Sequence, residues 1–183
     1  MGLLLAPATV EECSTVSGHA VRYAERFQAP VGLYLDPVLA ETLEAIPEGA
    51  AALYEGLTGL PLASATEVLS QRWSEVHLPP GARVGVVAWG GTRGAVRDAS
   101  LVAENLRVRL AHLHPRMLAP APDGELRSFL GSVLRILVAE PEPSAPLSTY
   151  LETRFGAVPE RLIWPLGSPL TPEAVLRALR LPG

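Results

Sequence analysis

Between Arg83 and Trp89 the chain reads Val-Gly-Val-Val-Ala without a polar break, then runs into Gly90-Gly91-Thr92-Arg93-Gly94-Ala95. A strand with no polar face needs cover on both sides, as in parallel sheets. Parallel strands need long crossovers, which helices usually supply. This one segment predicts layers of helix on a parallel sheet.

The rest of the sequence agrees. Gly2 to Ala6 reads as a short buried strand closed by Pro7. Thr9 is placed to cap a helix, with Glu11 and Glu12 in its first turn, where negative charge meets the positive helix end. Val10, Cys13, Val16, Ala20, Ala24 and Phe27 recur at helical spacing, and Pro30 ends the run. Val31 to Leu35 is apolar on both faces, and Asp36-Pro37 stops it. Residues 1 to 36 thus predict a β-α-β unit. After Trp89 come a helix to about Asn105, a strand from Arg107 to Leu113 and a rigid turn at Pro120-Ala121-Pro122. Asp123 is expected to cap a helix over Glu125–Ser132. A strand over Arg135–Ala139, a helix over Leu147–Phe155 and a strand over Leu162–Trp164 follow. Thr171 caps the last helix, with Pro172 as its first residue. Residues 47 to 81 are broken by proline and glycine and read as a connector with one or two short helices, Glu67 to Trp73 being a candidate.

Composition narrows the chemistry. All 15 basic residues are Arg, so a P-loop, a Schiff base or a kinase-type Lys cannot be built. The formal net charge is −4, which offers no basic stripe for nucleic acid. The single cysteine, Cys13, excludes an internal disulfide and a Cys-based zinc or iron–sulfur site held by this chain alone. The opening residues lack the basic start of a signal peptide, and no run is long enough to span a membrane. The expectation is a reducing cytoplasm.

Gly90, Gly91, Thr92, Arg93 and Gly94 form the leading candidate site, because a strand-to-helix turn presents free N–H groups to an anion. The order Gly-Gly-x-x-Gly misplaces the middle glycine of the dinucleotide fingerprint. A tight turn with no ligand explains the same residues. Arg93 either assists an anion or is solvated. His112 and His114 fall on one strand face, but no acidic residue stands beside them in sequence to complete a metal site. Glu140 ends a strand where α/β sites collect, and it also reads as an exposed residue of the Pro141-Glu142-Pro143 loop. No Gly-x-Ser-x-Gly elbow occurs. Trp73, Trp89 and Trp164 read as core or interface residues.

Several stretches resemble, in order, the carboxy-terminal part of the alpha subunit of 2-oxoacid:ferredoxin oxidoreductases. Leu4 to Cys13 (LLAPATVEEC), Ala24 to Val31 (AERFQAPV) and Asp36 resemble the segment closing the family's pyrimidine domain. Trp89-Gly90-Gly91-Thr92-Arg93-Gly94 resembles the turn that opens a domain similar to the transketolase carboxy-terminal domain. His114 to Pro122 and Pro169-Leu170-Thr171-Pro172-Glu173 resemble two later motifs. Gly91 stands where the family has Ser, and Pro115 where it has Leu. The Pro141–Leu147 loop departs from the family's run.

The resemblance implies a three-layer αβα fold with a mostly parallel sheet. It divides the chain into a β-α-β segment (1–46), a connector (47–81) and a transketolase C-terminal-like domain (82–183). It carries over no catalytic residue, since the segment holding the family's catalytic Glu has no counterpart here. It implies a non-catalytic partial homologue or small subunit acting in assembly. Thiamine diphosphate and an iron–sulfur cluster would then come only through partner subunits. The expected partners are those subunits or further copies of the chain. The alternative is a stand-alone α/β protein binding a phosphate-bearing ligand, a nucleotide or coenzyme A, at the Gly90–Ala95 turn.

Overall fold

The computed structural model describes residues 2–45, 64–141 and 145–181. Residues 47–63 of the candidate connector lie outside them. Strand β1 (Leu3–Leu5) leads into helix α1 (Val10–Phe27), whose first turn is capped by Thr9 accepting from the Glu12 N–H. Strand β2 (Val31–Leu33) returns parallel to β1, completing the β-α-β unit. Helix α2 (Pro37–Glu41) follows directly.

The second described stretch opens with helix α3 (Ala65–Ser70), shorter and earlier than the sequence suggested. It is followed by strand β3 (Ser74–His77), which sequence reading missed. Strand β4 (Val84–Ala88) is the apolar run. A single 3-10 turn (Gly90–Thr92) joins it to helix α4 (Arg93–Asn105). Strand β5 (Leu110–Pro115) begins later than expected, because Arg107 turns with φ +60. Strand β6 (Met117–Ala119), helix α5 (Asp123–Ser132), strand β7 (Arg135–Glu140), helix α6 (Pro146–Phe155), strand β8 (Glu160–Ile163) and helix α7 (Pro172–Ala178) complete the order.

Asp123 does not cap α5. It is the first helical residue, and its carboxylate instead takes the Tyr150 hydroxyl and, at 2.7 Å, the Arg154 guanidinium. Thr171 does cap α7, accepting from Ala174 N–H at 3.2 Å.

The larger sheet runs β3-β5-β4-β7-β8, parallel except for the β3–β5 pair. Residues of α4 and α7 pack on one face with Val86, Ala88 and Leu137. Residues of α5 and α6 pack on the other with Val87, Leu113 and Val138. This is the expected three-layer αβα arrangement. The smaller sheet runs β2-β1-β6, with β6 antiparallel to β1. Leu5, Ala20, Tyr23, Val68 and Met117 form its core with α1 and α3.

One residue, Arg116, separates β5 in one sheet from β6 in the other. Its N–H donates to Trp73 C=O at 2.7 Å, and its C=O accepts from Ala6 N–H at 2.8 Å. Its guanidinium bridges Glu12 on α1, at 2.6 Å, and Glu75 on β3, at 3.1 Å. No helix among the described residues is long and apolar enough to cross a membrane.

Candidate functional site at the carboxyl ends of the strands

The chain leaves β4 to pair β5 on one side and returns later as β7 on the other. In open α/β sheets, ligands bind at such a reversal, beyond the carboxyl ends of the strands. The Gly90–Gly94 turn stands there, between β4 and α4.

The anion in front of this turn belongs to the protein. Gly91 N–H donates to Asp36 Oδ2 at 2.6 Å, while Asp36 Oδ1 accepts from Leu39 N–H at 3.0 Å as the cap of α2. One carboxylate thus joins two helix starts, each favourable to negative charge. The approach is too close for a side chain on the turn. A Cβ on Gly90, whose φ is +66, would lie 2.9 Å from Asp36 Oδ2, and one on Gly91 would lie 2.8 Å away. A phosphate could bind here only by displacing the Asp36 carboxylate.

The Thr92 and Arg93 side chains of the turn are also engaged. Thr92 donates its hydroxyl proton to Trp89 C=O at 2.8 Å and lies 3.3 Å from His114 Nε2. With that proton committed, the His114 contact uses the Nε2–H tautomer. Arg93 is partly exposed and pairs with a carboxylate of the protein: its Nε donates to Glu75 at 2.6 Å. Gly94 faces open space in the first turn of α4.

Glu140, across the crevice, corrects the sequence reading. It is fully buried rather than exposed. Its carboxylate accepts from Leu147 N–H at 3.0 Å, Ser148 N–H at 3.1 Å and the Ser148 hydroxyl at 2.7 Å. It therefore fills the start of α6 as Asp36 fills the turn before α4.

His112 and His114 do share a face, and both are buried. Across the β3–β5 ladder His77 opposes His112 and Glu75 opposes His114. The His77 and His112 rings stack at 5.0 Å. Burial, with His77 beside it, holds His112 down to about 4; burial, with His112 beside it, holds His114 at about 3. Both rings are neutral at ordinary pH. Among the described residues no group of three or more His, Cys, Asp or Glu is arranged to hold a metal.

Around Arg116, burial alone raises the Glu12 carboxyl, and the hydrogen bond and charge of Arg116 more than reverse this. The same holds for Glu75, between Arg93 and Arg116. The tryptophans serve packing. Trp89 is buried with Tyr34 edge-on at 4.6 Å, Trp73 donates to Val68 C=O, and Trp164 donates to Ser168 C=O.

Sequence reasoning did not see Asp36 as part of this site. An Asp followed by Pro is a readable cap-and-first-residue signal. Its second bond, to a glycine 55 residues away, has no local signature.

Neither a family model nor a curated protein matches the sequence. Solved structures do match the fold. A 2-oxoglutarate:ferredoxin oxidoreductase from Magnetococcus marinus, solved with 2-oxoglutarate, coenzyme A and succinyl-CoA bound, aligns with 98% of this chain and 42% of its own at a TM-score of 0.76 and 16% identity. A split-gene transketolase described as an inactive beta4 tetramer aligns at a TM-score of 0.59 and 15% identity, over 98% of this chain and 56% of its own. A transketolase from Pichia stipitis aligns at 0.54 and 14% identity, over 98% and 25%. The chain thus spans less than half of the oxidoreductase chain and just over half of the split transketolase. The fold anticipated from the motif series is the fold observed.

Proposed function

We propose that the chain is a non-catalytic partial relative or small subunit of a 2-oxoacid:ferredoxin oxidoreductase, acting in subunit assembly in a reducing cytoplasm. The observation that carries this reading is the open edge of the smaller sheet. Pro30 C=O and Tyr34 N–H bond back to β1, so by alternation the peptide groups of Val31 and Leu33 point away from it. Among the described residues no strand pairs with that edge. Leu33 and Leu35 are exposed along it. An apolar open edge is a template for another strand.

The comparisons support the same reading. The oxidoreductase chain that shares the fold extends well beyond the aligned part, and the split-gene transketolase is described as an inactive beta4 tetramer. The filled switch point adds to it. A diphosphate at the Gly90–Gly94 turn would have to displace the Asp36 carboxylate. One cysteine cannot ligate a cluster. Both groups would belong to partner subunits.

Light scattering on the purified chain, alone and mixed with oxidoreductase subunits, tests this. A self-associated species or a stable complex is expected, and Leu33→Lys on the outer edge should dissolve it while leaving the circular dichroism intact. A wild-type monomer that binds none of those subunits would overturn the proposal.

A further inference from the structure

A second feature is independent of assembly. Between the two sheets, at the carboxyl ends of β4 and β5, lies a cavity of about 250 Å³. Its floor is Trp89, Pro115, Met117 and Leu126, all buried. Tyr34 and Tyr150 stand half-exposed at its rim. Among the described residues no Asp, Glu, His or Arg lines it.

Size and lining together select the ligand. A dry apolar cavity of about 150 Å³ accepts benzene, so this one has room for a bicyclic ring. A carboxylate or phosphate placed inside would lose its water without gaining a cation. Trp89 and Tyr34, edge to face, offer ring faces and edges, and Met117 offers a polarizable sulfur that adapts to a ring. We propose that this cavity is a binding site for a small neutral aromatic molecule of about the size of indole.

The chain has two methionines, Met1 and Met117, so methyl-labelled methionine gives two resonances. Titration with indole should move the Met117 signal saturably and leave Met1 unchanged, and should raise the melting temperature. Indole-3-carboxylate, the same ring carrying a charge, should bind about tenfold more weakly or worse. Ala121→Trp, which fills the cavity from its lining, should abolish the Met117 response. A Met117 signal that indole does not move overturns the proposal, as does equal affinity for the carboxylate. The wild-type titration decides the matter even where the variant fails to fold.

Discussion

Asp36 shows how much one side chain can organise. Its two oxygens serve two different helix starts. Asp36→Ala leaves the Gly91 and Leu39 N–H groups without that acceptor and should cost about 1–3 kcal/mol. In a chain of this size that is about 2–4 °C of melting temperature per kcal/mol. Gly91→Ala pushes a methyl against the same carboxylate and should also destabilise. Because both changes act on one contact, their costs should not add: Gly91→Ala should be milder in the Asp36→Ala background. Urea unfolding of the two singles and the double checks this, and strict additivity would argue against the latch. Glu140 follows the same logic. Glu140→Ala leaves three donors at the start of α6 without their acceptor and should cost as much as Asp36→Ala or more, whereas a merely exposed loop carboxylate would cost almost nothing.

At the scale of elements, the β3–β5 ladder and α1 carry the pH dependence. His112 and His114 bind a proton more weakly folded than unfolded. Below their ordinary value of 6.5 the unfolded chain therefore takes up more protons, and stability falls as pH drops from there toward about 3. The slope should be on the order of 1 kcal/mol per pH unit for each histidine. Glu12 and Glu75 act in the same direction but start lower. Their folded values lie below the ordinary 4.5, so the stability they add is present above that value and is lost as acid protonates them. Denaturation at pH 7, 6 and 5 separates the two effects: His114→Leu should flatten the profile between pH 6.5 and 5. A profile identical to wild type there would sink the histidine account. Arg116 joins these elements electrostatically. Its pairs are half-buried, so Arg116→Ala should cost about 1–3 kcal/mol, between exposed and fully buried ion pairs, and less in high salt.

At the scale of the whole molecule, the chain is two sheets sharing a single-residue joint. The larger sheet is covered on both faces, and among the described residues its outer strands β3 and β8, like β2 of the smaller sheet, are unpaired on one side. Charged Glu75 on β3 and Glu160 and Arg161 on β8 blunt those edges, whereas β2 carries exposed Leu33, so association is expected through the smaller sheet. Disrupting the outer edge with Leu33→Lys should change mass in solution without changing the unfolding free energy of the dissociated chain by more than a few tenths of a kcal/mol, as for an exposed substitution. A large loss of stability would show that Leu33 serves the fold rather than a partner.

What the sequence determined by itself is local. The apolar run of β4, the Thr9 and Thr171 caps and the β-α-β opening were all legible, because periodicity and capping act within a turn or a strand pair. The motif series extended this to the layer arrangement. Tertiary structure alone decided the rest. Ser74–His77 became a strand because β5 offered an edge; its own pattern of Ser, Glu, Val and His carries little strand signal. Arg116 found Glu12 at a separation of 104 residues, and Asp36 found Gly91 at 55. Glu140 lies buried rather than solvated because α6 turns its free N–H groups toward it. A carboxylate's neighbours depend on where distant segments pack, and only the folded chain shows that the candidate turn already faces a carboxylate of its own.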